Sequence, residues 1–291
     1  MNPEFKHFVI TFFNLRLWDK DKTQQTTRTD AWLEERFNLF ERYCFPGFER
    51  QTNKNFIWLC MFDVDTPETY KKKIDRFVKR LPQFRPCFYG EEAREFFAED
   101  EARRVRFLRC TVRSMLTKED KYVITTNVDN DDAIHCRMVE TIQSHFLQHP
   151  VNERILYSLN WGLQYFVNQQ LLLKMCYPHN HFLTLIEPAH IDFHTVEFYG
   201  HAGARKRLPT VDILEQPYWI EVVHGHNVNN GLRITSRIRY GFFLKACSLK
   251  EFGLPVAFTA RQNCYNALVR YPVYFIPTAL RKLYRKMFYK R

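Results

Sequence analysis

The sequence predicts an α/β fold built on a mixed, mostly parallel central sheet flanked by helices. Three observations carry that expectation. Segments of strand character alternate with segments of helical period over roughly the first 150 residues, the pattern of a parallel sheet with helices on its faces. The strand segments are continuous apolar runs, as strands buried on both faces are. One of them, Tyr122 to Val128, closes on the acidic tetrapeptide Asp129-Asn130-Asp131-Asp132, at the strand end where open α/β sheets bind their ligands.

Taken in order, Phe8 to Phe13 is rich in aromatic and β-branched residues and reads as the first strand. The polar stretch Asp19 to Asp30 is expected to form a loop. Ala31 to Cys44 sets Trp32, Leu33, Phe37, Leu39, Phe40 and Tyr43 at helical spacing. Asn55 to Phe62 is the second strand, closed by Asp63-Val64-Asp65-Thr66-Pro67. Helices follow over Thr69 to Arg80 and over Glu91 to Leu116, the latter carrying Arg103, Arg104, Arg106, Arg109 and Arg113. After the strand from Tyr122, a helix is expected over Ala133 to Gln148. Strands are expected at Arg154 to Leu159, Gly162 to Phe166, His181 to Ile186 and Pro217 to Val223. The organisation predicted is a main domain over 1–231 and a basic helical extension over 232–291. No G-x-G-x-x-G or G-x-x-x-x-G-K-[ST] loop is present, which argues against Rossmann dehydrogenases and P-loop kinases.

A chain of 291 residues that is 45% hydrophobic can bury a large core. No apolar stretch reaches the length of a membrane span. The run Phe8 to Phe13 is followed by Asn14 and Arg16 and not by a small-residue cleavage site, so no signal peptide is expected. The eight cysteines are scattered without a C-x-x-C pair, which fits free thiols in a reducing compartment and points to the cytoplasm. The net charge is +11, and Phe252 to Arg291 holds eight Lys/Arg with no Asp or Glu. In that tail Leu280, Leu283, Tyr284, Met287 and Phe288 follow one helix face, flanked by Arg281, Lys282, Arg285, Lys286, Lys290 and Arg291. Such a helix can lie on an anionic membrane surface, which would make the protein peripheral on the inner face of the cytoplasmic membrane. The plainer alternative is a helix docked on its own domain.

Three carboxylates packed together repel one another, and at least one pKa rises unless a cation sits between them. Oxygen-rich clusters suit Mg2+ or Mn2+. The competing explanation is a solvated Asp/Asn turn that caps the helix expected from Ala133. A second cluster, Trp219 to Gly231, runs a strand into His224-Gly225-His226-Asn227, and mixed carboxylate and imidazole ligation suits Mn2+. The loose group His179, His181, His190 and His194 reads as acceptor-site or core polar residues.

The segment YVITTNVDNDDAI, the arginine-rich helix before it and the late WIEVVHGHN resemble the rhamnosyltransferase family of bacterial polysaccharide synthesis, from Phe8 to Gly231. The resemblance implies a GT-A-like fold, a nucleoside-diphosphate sugar donor and a glycan or lipid-linked glycan acceptor. It maps the family's Asp-x-Asp element onto Asp129-Asn130-Asp131, with Asp132 adjacent, as metal and donor ligands. It maps the late histidine ligand onto His224, with His226 as competitor. The chain departs from the pattern at Asn127, where a basic residue is expected. Further donor contacts are expected from Arg16, from Asp63 or Asp65, and from Arg109 or Arg113. The base of an inverting transfer is sought among Glu187, Asp192 and Glu221, with Asp192 preferred. The function expected is a metal-dependent glycosyltransferase. The alternatives are a metal-dependent nuclease or phosphoesterase and a non-catalytic membrane-binding protein. Against a nucleic-acid partner, the positive charge concentrates in the tail and not beside the acidic cluster.

Overall fold

The computed structural model describes residues 4–15, 29–90, 101–190, 192–224, 232, 235 and 237–288, with side chains except at 101–105, 201–202 and 281–288. Strands β1 (Phe5–Phe12), β2 (Ile57–Asp63), β3 (Phe84–Tyr89) and β4 (Tyr122–Asn127) lie parallel, in the order β3-β2-β1-β4. Between them run α1 (Asp30–Leu39), which continues through a π-helical turn at Phe40–Cys44 into α2 (Phe45–Glu49), then α3 (Glu68–Arg80) and α4 (Glu101–Ser114). The chain leaves this sheet through 128–132 and enters β5 (Ala133–Ile134), the edge of a second sheet. After α5 (Met138–Gln148), β6 (Ile155–Leu159) returns to the first sheet and β7 (Trp161–Phe166) and β8 (Leu171–Cys176) form a hairpin in the second. Strand β9 (Leu183–Pro188) inserts antiparallel between β4 and β6. Then come α6 (Gly200–Arg207), the edge strand β10 (Thr210–Ile213), and β11 (Trp219–Val223), parallel to β7 and antiparallel to β5. The first sheet reads β10-β6-β9-β4-β1-β2-β3 and the second β12-β8-β7-β11-β5, where β12 is Arg239–Gly241. This is the α/β architecture expected, a mixed, mostly parallel central sheet flanked by helices.

Two differences from the expectation bear on the site. The helix expected from Ala133 begins at Met138, because Ala133 and Ile134 pair instead with Ile220 and Trp219. Tertiary pairing outweighs the local preference, and the acidic tetrapeptide caps no helix. The region 232–291 is more than a helical tail. Its β12 extends the second sheet, and Leu249, Phe252, Leu254 and Phe258 share a core with Tyr43, Ala133, Leu163 and Ile220. A short hairpin, β13 (Cys247–Ser248) and β14 (Ala257–Phe258), leads into α7 (Ala260–Tyr265) and α8 (Tyr271–Phe288). Among the described residues no helix is long and apolar enough to cross a membrane.

The largest cluster of buried residues is aromatic and reaches the site. Trp58 stacks on Phe48 at 3.6 Å, and its indole N–H donates to Thr11 Oγ1 at 2.9 Å. Thr11 in turn donates to the carbonyl of Val128 at 2.7 Å, which fixes the residue just before the acidic tetrapeptide. On the second sheet, Trp219 stacks on Phe182 at 4.8 Å and donates to the Leu159 carbonyl at 2.7 Å. That indole lies flat against Gly162, where an added Cβ would collide with the Trp219 ring. Overpacking of this kind costs about 1–3 kcal/mol, so Gly162→Ala is expected to lower the denaturant midpoint accordingly. An unchanged midpoint would contradict the close approach.

Candidate functional site

Residues 129–132 carry the chain from the first sheet to the second, and each side chain is held by a different element. The Asn130 amide donates to the carbonyls of Phe12 and Phe13 at 2.9 and 3.0 Å, tying the turn to the end of β1. Asp131 Oδ2 accepts from Arg36 Nη1 of α1 at 2.7 Å and lies 3.0 Å from His224 Nε2, just past β11. Asp132 is fully buried; its Oδ1 accepts the Val222 N–H at 2.8 Å, extending the β11 ladder where β5 ends. Its Oδ2 lies 2.8 Å from His181 Nε2, and Asp129 Oδ2 is 3.6 Å from the same nitrogen. The Asp129 side chain is about half exposed, and its carbonyl accepts from the Cys44 thiol at 3.5 Å.

The two adjacent buried carboxylates are driven in opposite directions. Burial alone would raise Asp131, but the Arg36 charge and the His224 contact outweigh it and hold the group down at about 2. Burial pushes Asp132 up to about 8, and the charges of Asp131 and Asp129 add to that, with His181 offsetting only part. Burial would lower His181, yet the carboxylates of Asp129 and Asp132 lift it to about 9. At neutral pH this coupled pair therefore favours its protonated forms. Asp129, Asp132 and His181 offer ligand atoms within 4.8 Å of one another. A buried carboxylate that keeps its proton to about 8 is short of positive charge, and an oxygen–oxygen–nitrogen set is chemically suited to Mn2+ or Mg2+.

The sequence-predicted residues divide between the two ends of the sheet. Asp63 ends β2, which β1 separates from β4, and its Oδ1 accepts the Asp65 N–H at 2.8 Å, so it braces the turn into α3, while Asp65 is exposed. His224 contacts Asp131 and is not part of the Asp129–Asp132–His181 group. Arg16 and His226 lie outside the described residues. Glu187 and Asp192, expected as candidate bases, lie at the end of the sheet away from the acidic turn. Because β9 is antiparallel, Glu187 sits opposite Val123, at the start of the strand whose far end leads to Asp129, about 20 Å away. Glu187 is fully buried and accepts from Arg154 Nε at 2.7 Å and from the backbone N–H groups of His194 and Thr195. Arg154 also donates to the Asp192 carbonyl, and the Asp192 carboxylate pairs with Arg109 at 2.8 Å and Arg113 at 3.6 Å. Arg113 lies over Phe193 at 5.1 Å, so Arg109 and Arg113 also serve this opposite end. Glu221 is the base candidate on the correct side. It is fully buried, falls opposite Asp132 as the β5–β11 register continues, and accepts from Gln164 Nε2 at 3.0 Å.

Sequence reasoning missed the partners Arg36 and His181. Arg36 lies between Leu33 and Phe40 on the buried face of its helix, and a lone arginine on an apolar stripe was the available signal. His181 precedes an antiparallel strand, so it reaches the ends of the parallel strands. The sequence does not disclose strand direction.

A family model described as “Putative rhamnosyl transferase” matches residues 5–235. Comparison with curated proteins gives no match. Among solved structures, S. aureus TarS 1–349 in complex with UDP-GlcNAc is similar at a TM-score of 0.41 and 12% identity, covering 77% of this chain and 60% of that one. Another S. aureus TarS structure gives 0.40 and 11%, covering 76% of this chain and 37% of that one. Mouse xyloside xylosyltransferase 1 in its apo form gives 0.30 and 10%, covering 54% of each chain. The chain thus spans 37% and 60% of the lengths of these two TarS chains, under two thirds of each.

A divalent cation at Asp129, Asp132 and His181 would need Asp132 ionised and His181 neutral, so it would displace the protons this pair holds. Both folded-state pKa values lie above the ordinary ones. Without metal, the bound protons therefore stabilise the fold at low pH, and that contribution fades as pH rises through about 8 and 9. The affinity of such a cation would rise over the same range. Calorimetry in buffers of differing protonation enthalpy is expected to register proton release near neutral pH and tighter binding toward pH 9. Affinity that is flat with pH would contradict the protonation of this pair.

Proposed function

The chain belongs to the rhamnosyl transferase family, and from that membership we propose a metal-dependent glycosyltransferase that moves a sugar from a nucleoside-diphosphate donor to a hydroxyl of a glycan. Rhamnose is the sugar the family description favours. The observation that carries the reading is the Asp129–Asp132–His181 group, within 4.8 Å, where the central parallel strands end. A divalent cation, when bound, supplies positive charge against the diphosphate leaving group, worth several kcal/mol in a transition state that builds negative charge there.

The chain's own residues do the rest. Arg36 and His224 keep Asp131 ionised and fixed, so the turn bearing Asp129 and Asp132 holds one geometry. Asn130 anchors that turn to β1, beside the β2 tip with Asp63 and Asp65. Asp65 is the donor contact we propose at this rim, and Arg16 is proposed with it from its place in the sequence alone, just past β1. In an inverting transfer the acceptor oxygen bonds to the anomeric carbon as the bond to the phosphate oxygen breaks, and a carboxylate takes the hydroxyl proton. We assign that proton to Glu221, whose charge is felt by His181 and whose carboxylate is held by Gln164. The eight free thiols support a cytoplasmic site of action.

Glu221→Gln is expected to lower sugar transfer by about 10²–10⁴-fold while nucleoside-diphosphate binding persists. Asp192→Asn, at the other end of the sheet, should leave turnover within about twofold, since surface changes seldom perturb a distant site. The reverse outcome would return the base to Asp192. In thermal-shift assays over a panel of nucleoside diphosphates, stabilisation should require Mn2+ or Mg2+ and vanish in Asp132→Asn and His181→Ala. Ligand stabilisation that survives excess chelator would overturn metal dependence.

A further inference from the structure

The C-terminal helix carries two apolar faces, and the fold uses only one. On the inner face, Tyr271 and Tyr274 pack on Phe166, Leu171, Leu173 and Val223, with the Tyr274 and Phe166 rings 5.1 Å apart. On the outer face, Leu268, Val273, Ile276 and Leu280 are 77%, 70%, 52% and 60% exposed. Positions 269, 273, 276 and 280 follow the three- and four-residue steps of one helical stripe. Exposed Tyr265 lies on the same helical run, and Asn263 holds the Lys245 carbonyl at 2.6 Å, tying exposed Leu244 to its start. A contiguous row of exposed large aliphatics marks an interaction surface.

The charge around the stripe selects the occupant. Residues 252–291 hold eight Lys/Arg and no acidic residue, and Lys245 and Arg261 are exposed near its beginning. In the sequence the spacing continues to Leu283, Tyr284 and Met287, interleaved with Arg281, Lys282, Arg285 and Lys286. Two copies meeting through this face would bring like charges together with no acidic group of the segment to pair them. We propose that the outer stripe from Leu268 to Leu280 is a docking face for an anionic lipid bilayer, its aliphatic side chains entering the interfacial layer and its basic flanks meeting the headgroups.

The position of the face gives it a consequence for the site. Tyr271 and Tyr274 pack on the cluster that contains Val223, and Val223 directly precedes His224, so the helix bearing the docking face braces the strand whose end meets Asp131. Where the transfer reading holds, this geometry favours an acceptor glycan carried on a lipid; the docking itself does not depend on that reading.

The test uses the full chain with vesicles of mixed phosphatidylglycerol and phosphatidylcholine, and with phosphatidylcholine alone. Co-sedimentation is expected with the anionic vesicles only, and it should weaken at high salt. The double change Val273→Glu with Ile276→Glu should reduce binding by about tenfold or more, because two aliphatic side chains then no longer enter the bilayer. Both positions are solvent-exposed, and an unchanged thermal midpoint would show that the fold is kept. Equal binding by parent and variant, or none to anionic vesicles, overturns the proposal. So does a lipid-free dimer that the double change dissociates, which would assign the face to a second copy. Donor hydrolysis measured without lipid separates the two readings: vesicle binding without hydrolysis sinks the transfer alone, and hydrolysis without vesicle binding sinks the docking alone.

Discussion

A carboxylate at zero exposure, Asp132, is the constraint around which this molecule is arranged. Burying an ionised carboxylate is prohibitive unless protons, cations or hydrogen bonds compensate it. Here one oxygen is satisfied by the Val222 N–H, which the short β5 leaves open, and the other faces His181. The compensation is incomplete, and the group holds its proton up to about 8. Asp131, one residue away and almost as buried, has the opposite character because Arg36 and His224 converge on a single oxygen. Adjacent acids forced apart in pKa mark chemistry more than stability, since a buried ion pair seldom improves on a well-packed apolar pair.

That arrangement depends on the chain changing sheets at this point. β4 belongs to the parallel sheet and β5 to the second, so residues 128–132 span the seam and collect groups from both. From the first sheet come the Phe12 and Phe13 carbonyls and the Thr11 hydroxyl; from the second come Val222 and His224. The aromatic core behind β1 and β2 holds Thr11 through the Trp58 indole, so packing far from the acids still fixes the residue that introduces them. Gly162 plays the matching part on the other side, giving Trp219 room to stack beneath Phe182, next to His181.

The opposite end of the first sheet holds a separate polar assembly of Glu187, Arg154, Asp192 and Arg109. Glu187 is saturated by an arginine and two backbone amides, and burial still raises its pKa. Its bonds pin the turn after β9, at the end of the sheet opposite Asp129. The C-terminal region is likewise structural on its inner side. There β12 and the Leu249–Phe258 core cover the second sheet, and Tyr271 and Tyr274 brace the strands that end beside His224.

Much of this was legible in residue order. The apolar runs of β1, β2 and β4, the helical period of α1 and α3, and the acidic tip after β4 are local patterns, and local patterns survive in one dimension. Edge strand β3 was not legible, since Arg85 and Pro86 interrupt its apolar character at a half-exposed edge. Nor was β5, two residues whose identity as strand exists only through Trp219 and Ile220. The sequence alone determined that three carboxylates would stand at the end of a buried strand. Which side chains face them was decided in three dimensions, because an antiparallel strand delivers its beginning where parallel neighbours deliver their ends. That reversal brings His181 to the acids and carries Glu187 and Asp192 away, and no spacing along the chain encodes it.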